Sequence, residues 1–289
     1  MLEGSVEVPP RPTKDHIDVF GISHQGLVRT DNQDHFLVAS LHKAMQVHHS
    51  SLPEAAIGEL LSPSRGYVFL VADGVGGLPA GRDASRTALS SIIDYVVQTM
   101  DLYVQLDPDA EPAFLAELQR SVERSHEQVR EAGEADDDHV GMATTLTMVC
   151  IRWPRGYLVH VGDSRCYRLR DGELEQLTKD QTMAQAMVDA GALSPDQAEH
   201  SGLKHVLYSA IGATRAEPYT RTTDVRWDDV MMLCSDGITK HVTDDEIRDA
   251  LRRSTSAEVT CRELVDLTLA RGGSDNTTII VGRLKKDGG

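Results

Sequence analysis

Apolar and polar positions alternate along this chain in two rhythms. Short, continuously apolar runs at 67–72, 157–161, 230–234 and 277–281 read as strands buried on both faces, being too short for core helices. Across 144–151 the period is two, Thr145, Thr147, Val149 and Ile151 alternating with Thr144, Leu146, Met148 and Cys150. Further strands are expected at 17–20, 35–41 and 219–225, with a hairpin turn at 153–156 and another at Asp171-Gly172. A helical rhythm covers 79–100, where Ala84, Ala88, Ile92, Val96 and Met100 share one face and Leu89, Ile93 and Val97 flank it. It recurs over 111–132 through Phe114, Leu115, Leu118, Val122 and Val129, and shorter helices are expected at 243–251 and 257–271. Residues 181–200 predict two short helices around Ser194-Pro195.

Strands in blocks, separated by paired helices, predict an α+β sandwich: two packed, mostly antiparallel sheets with helices outside them. Residues 1–15 are proline-rich and read as a terminal arm, and 16–289 as one domain. Within that domain, 42–66 is an irregular insertion with a short helix near 54–61, and its His42, His48 and His49 read as part of a solvated loop.

The apolar runs end on the same chemistry. Leu70-Val71-Ala72 breaks onto Asp73-Gly74, Val161-Gly162 onto Asp163, Cys234-Ser235 onto Asp236-Gly237, and Asp275 precedes the closing strand. Carboxylates gathered at strand ends repel one another strongly and need cations. All-oxygen ligands without histidine or cysteine favour a hard divalent ion, Mg²⁺ or Mn²⁺. The balance of 45 acidic against 29 basic residues, a formal charge of −16, argues against nucleic-acid binding. Cys150, Cys166, Cys234 and Cys261 are widely spaced and mostly lie in apolar segments, which predicts reduced core thiols. No stretch approaches the roughly 18 apolar residues of a membrane span and no signal peptide is evident, so a cytoplasmic location is expected.

Read in order, the motifs are Gly26-Leu27-Val28-Arg29-Thr30-Asp31-Asn32-Gln33-Asp34, Val71-Ala72-Asp73-Gly74-Val75-Gly76-Gly77, Gly141-Met142-Ala143-Thr144-Thr145, Val161-Gly162-Asp163-Ser164-Arg165, Ser235-Asp236-Gly237 and Gly273-Ser274-Asp275-Asn276. Together they resemble the metal-dependent protein phosphatases of the PPM, or 2C, family in their compact bacterial form, from about residue 17 to 284. The resemblance implies a four-layer α-β-β-α sandwich with the metal centre at one edge of the sheets. It implies that Asp73 bridges two ions with the Gly74 carbonyl also coordinating, and that Asp236 and Asp275 complete the first ion's ligands. Asp34 matches the acidic residue near the second ion, acting directly or through water. Asp163 matches the position for a weaker third ion shared with Asp236, and Arg29 the phosphate-binding arginine.

The implied reaction is hydrolysis of phosphoserine and phosphothreonine in proteins by direct attack of a water or hydroxide bridging the ions. The implied substrates are phosphoproteins of a bacterial Ser/Thr kinase, acted on by a monomer. Arginine suits the phosphate role because its planar fork can hold two oxygens. Two departures stand out. Where some members carry a histidine after the Asp-Gly pair, this chain has Val75, which cannot donate a proton and leaves metal-bound water as the proton source. His24 stands where relatives often place an aspartate, and no catalytic role attaches to it.

Competing readings are a catalytically silent phosphoprotein-binding relative, which would lack the aspartates, and a phosphatase of an anti-sigma-factor antagonist, which shares the chemistry. The glycines after Asp73 lack nucleotide-loop spacing and a Walker lysine. Thr144 and Thr145 read as packing near the cleft. Ser164 and Ser235 lack a positioned base. Asp171-Gly172 reads as a plain turn. Residues 180–204 correspond to a flap beside the cleft in bacterial relatives.

Overall fold

Two antiparallel sheets lie face to face in a computed structural model that describes residues 11–42, 44–45, 60–61, 64, 66–75, 80–99 and 111–286. In chain order the strands are β1 (Ile17–His24), β2 (Asp34–Leu41), β3 (Ala44–Met45), β4 (Leu60–Leu61), β5 (Gly66–Val75), β6 (Ala143–Thr144), β7 (Leu146–Arg152), β8 (Arg155–Val161), β9 (Arg165–Arg170), β10 (Glu173–Gln176), β11 (Tyr219–Asp224), β12 (Val230–Cys234) and β13 (Thr277–Leu284). One sheet runs β1-β13-β12-β9-β10 and the other β11-β8-β7-β5-β2, with β6 added to the end of β5.

The long helices Ala80–Gln98 and Glu111–Glu134 pair with each other and cover the second sheet. Asp244–Arg253 and Ala257–Ala270 cover the first. Each central strand therefore has a sheet on one face and helices on the other, so successive residues enter different cores. In β5, Val68, Leu70 and Ala72 join the helix-side core, while Phe69 and Val71 point between the sheets. In β12, Val230, Met232 and Cys234 face helices, and Met231 and Leu233 face the opposite sheet. This double coverage gives antiparallel strands the unbroken apolar runs usual in parallel sheets.

The expected elements appear within a few residues of their predicted limits. β1 continues past residue 20 because every residue through His24, opposite Thr277, pairs with β13. Asp171 and Gly172 both take positive φ, as a tight β9–β10 turn requires. The four cysteines are buried free thiols. The insertion at 42–66 falls largely outside the described residues, as do 1–10 of the arm, His48 and His49. Of the helix expected near 54–61, residues 54–59 also lie outside, and Leu60 and Leu61 are strand, paired with Met45 and Ala44.

The flap segment holds helices Met183–Asp189 and Pro195–Glu199, each N-capped, by Thr182 and Ser194. It is closed at its base by an antiparallel bridge between Thr182 and Leu207. Among the described residues no helix is long and apolar enough to cross a membrane.

Candidate metal centre

The strand ends that carry aspartates all open at one edge of the sandwich. Asp34, first residue of β2, is the direct cross-strand partner of Asp73 in β5. Asp163 follows β8, Asp236 starts the short helix after β12, and Asp275 sits in the turn before β13. Asp73, Gly74, Asp163, Asp236 and Asp275 line one cleft of about 680 Å³, together with Arg29, Val75 and Lys240. Asp34 lies beside Asp73 and is only 5% exposed.

The strand ends that carry the aspartates are held by neighbours of defined chemistry. The Asp73 carbonyl accepts from the Thr145 backbone N–H at 2.8 Å and the Thr144 hydroxyl at 2.9 Å, while its own N–H donates to Thr145 Oγ1 at 3.1 Å. Thr144 and Thr145 thus fix the end of β5. Ser235 donates to Asp34 Oδ2 at 2.7 Å, and its hydroxyl accepts from the Thr278 N–H at 2.9 Å. It is fully buried and acts as a holder of Asp34. Ser164 pairs with Thr145 Oγ1 at 2.7 Å.

Two of the Asp-Gly pairs owe their glycine to close approach. A Cβ on Gly74 would lie 2.2 Å from the Gly81 carbonyl oxygen, and one on Gly237 1.9 Å from that of Asn276. The second contact seats the Asp236 helix against the Asp275 turn. Asn276 then ties that turn to the loop carrying Arg29: its Nδ2 donates to the carbonyls of Gln25 and Asp31, both at 2.8 Å, and its Oδ1 accepts from the Gln33 N–H at 2.9 Å.

Among the described residues, protein cations reach only part of the cluster. Arg29 grips Asp275 through Nε at 2.7 Å and Nη2 at 2.9 Å. Lys240 Nζ lies 2.6 Å from Asp236 Oδ2 and 2.7 Å from Asp275 Oδ2. Burial pushes the Asp275 carboxyl up, but Arg29 and Lys240 outweigh it and hold it below the ordinary value. Asp73, Asp34 and Asp163 are raised instead. Burial lifts Asp73 well above the usual range, and the charges of Asp34, Asp236, Asp163 and Asp275 push it further. Burial also brings Asp34 to about 6, against the Ser235 hydrogen bond, and Asp163 to about 8, with Asp236 and Asp180 adding to it.

Among the described residues no three histidine, cysteine, aspartate or glutamate side chains close on a common point as an ion's ligands; Lys240 stands between Asp236 and Asp275, and Arg29 holds Asp275. The chemistry nonetheless fits hard divalent ions. The donors are oxygens, and Asp34 Oδ1 is buried without a hydrogen-bond partner among the described residues. The raised carboxyls mark a surplus of negative charge that the side chains do not cancel.

Sequence reasoning missed Lys240, Ser235 and Asn276 as parts of this site. Lys240 carried a readable signal, standing one helical turn after Asp236, whereas Ser235 contacts a residue 201 positions away. Val75 extends β5 by pairing with Ala143 of β6 and is 38% exposed on the cleft wall.

Comparison with known proteins agrees with this geometry. The protein phosphatase 2C family model matches residues 59–267. The serine/threonine protein phosphatase PstP of Mycobacterium tuberculosis is 37% identical over 216 residues, 74% of this chain and 40% of that protein. The matched part of this chain thus spans under half the length of that relative. Protein phosphatase PhpP of Streptococcus pneumoniae is 30% identical over 213 residues, 73% of this chain and 83% of that one. The crystal structure of M. tuberculosis PstP/Ppp superposes with a TM-score of 0.75 at 30% identity, covering 93% of this chain and 99% of that one. The PstP catalytic domain in complex with two manganese ions gives 0.71, with the same identity and coverage. With the family model spanning most of its length and its aspartates gathered at one sheet edge, this chain belongs to the protein phosphatase 2C family.

Proposed function

We propose that this chain is a metal-dependent protein phosphatase that hydrolyses phosphoserine and phosphothreonine. The observation that carries the reading is the convergence of Asp34, Asp73, Asp163, Asp236 and Asp275 at one edge of the two sheets, with side-chain cations, among the described residues, for only two of them. Asp73 and the Gly74 carbonyl would lie between two ions, with Asp236 and Asp275 completing the first and Asp34 serving the second. Asp163 would share a weaker third with Asp236. The manganese in the PstP catalytic domain supports Mn²⁺ here, with Mg²⁺ the alternative of the same hardness. When bound, such ions ready a water for attack and neutralise charge on the phosphoryl oxygens.

The chain's own groups supply position. Thr144 and Thr145 keep Asp73 at a fixed height on β5. Arg29, 53% exposed and mounted on the loop pinned by Asn276, turns its planar fork from Asp275 to two phosphate oxygens. Val75 supplies no proton, so the departing serine or threonine oxygen takes its proton from water in the cleft. The substrates are phosphoproteins, the products of a bacterial Ser/Thr kinase, met in the cytoplasm by a monomer.

The decisive experiment follows phosphate release from phosphothreonine peptides in Mn²⁺, Mg²⁺, Ca²⁺ or chelator, for the native chain and for Asp73→Asn and Asp236→Asn. Turnover should vanish in chelator and in both variants. Turnover that survives chelation would refute metal dependence, and equal cleavage of a phosphotyrosine peptide would remove the Ser/Thr restriction.

A further inference from the structure

Lys240 occupies a place that the phosphatase chemistry does not explain. It caps the C-terminal end of the short helix Asp236–Thr239, its N–H donating to the Asp236 carbonyl, so its side chain folds back one turn along Asp236. The seating of Gly237 against Asn276 brings the Asp275 turn to the same spot. As a result one ammonium touches two carboxylates from different elements, at 2.6 and 2.7 Å, and is itself 23% exposed. An ordinary one-turn ion pair on a helix surface has a single partner and contributes little. Arg29, by contrast, touches only Asp275 within this pair and keeps half its surface in solvent.

Asp236 and Asp275 are the two side chains that the proposed function assigns to one ion. We infer that Lys240 is a tethered counter-ion that holds Asp236 and Asp275 together and competes with the first divalent ion for their oxygens. An ammonium and a divalent cation cannot share those oxygens a few ångströms apart, because both are positive. Ion uptake must therefore swing Lys240 away, and by linkage an engaged Lys240 weakens ion binding by the factor with which the ion weakens Lys240's contacts. Lys240 is in this sense a positioning residue that sets the ion concentration at which the centre fills. The inference rests on the metal-centre reading, and its test separates the two.

Free Mn²⁺ is measured by electron paramagnetic resonance during titration of the native chain, Lys240→Gln, Lys240→Arg and Asp73→Asn. Lys240→Gln should bind its first Mn²⁺ about fivefold or more tightly, the lower range of such couplings, while Lys240→Arg stays near native. Equal or weaker binding in Lys240→Gln overturns the inference. A native chain that takes up no Mn²⁺ overturns the metal-centre reading instead. A second measurement needs no variant: pulse acetylation read by mass spectrometry should find Lys240 protected in chelator and several-fold more reactive once Mn²⁺ is added. Lys240 reactivity that Mn²⁺ leaves unchanged would also overturn the inference.

Discussion

The same strands end in opposite electrostatic situations at their two ends. Away from the cleft, Asp229 is 2% exposed, yet Arg170 meets both of its oxygens, at 2.8 and 2.7 Å. Asp224 there is shared by Arg168, Arg170 and Arg226, and Glu175 by Arg168 and Arg221. Those arginines outweigh burial and hold the Asp224 and Glu175 carboxyls low. At the cleft end, burial lifts Asp73, Asp34 and Asp163, and among the described residues only Arg29 and Lys240 reach the cluster's other members. Where a buried acid serves the fold, this chain supplies its own guanidinium. Where acids are left in surplus, the proposed ions would supply the missing charge.

That contrast can be broken from either end. The largest effect belongs to Asp73→Asn: turnover with Mn²⁺ should fall at least about a thousandfold, roughly 4 kcal/mol, in steady-state phosphate release. Its Tm in chelator should hold or rise, because one of several mutually repelling carboxylates is gone. Asp229→Ala should do the reverse, costing about 2 kcal/mol in urea unfolding, because Arg170 loses its buried partner and keeps only Asp224. Phosphatase activity at low temperature should survive that change; a loss of activity without a loss of stability would contradict the division between the ends.

Arg29→Ala should lower kcat/KM about 10- to 100-fold, the span expected of charge-assisted bonds to phosphate. Mn²⁺ affinity should not weaken, and a lost ion would show Arg29 to be part of the centre. The last effect is in pH dependence. Asp34, held at about 6, and Asp163, at about 8, keep protons in the folded chain that an unfolded aspartate, near 3.8, has released. The folded state then binds more protons through that window, so stability in chelator falls as pH rises from about 4 to 8. The depressed Asp275 acts oppositely, but its contribution is lost only as pH drops below the ordinary aspartate value. Differential scanning fluorimetry should show the Tm gain from Mn²⁺ widening with pH over that range; a gain that narrows would mean the raised carboxyls are not where the ion binds.

Much of this was legible in local pattern. The runs at 67–72 and 230–234 announced strands covered on both faces, and Asp73 and Asp236 announced themselves by standing at the ends of such runs. The pairing of Asp34 with Asp73 was not legible, since register is decided by the sheet as a whole. Nor was the grip of Arg29 on Asp275, a contact across 246 positions. Lys240 was half legible: its spacing from Asp236 is local, but its second partner depends on how closely Gly237 lets two elements meet.

The bridge that closes the flap does not stand alone. Gln181 and Tyr208 pair backbone to backbone beside the Thr182–Leu207 bridge, and Gln181 is itself bonded in both directions to Gly162, one residue before Asp163. The two feet of the segment are thus anchored to the sheet independently of what lies between them. A change in the length of residues 183–206 would therefore carry little entropic penalty while Asp163 keeps its place.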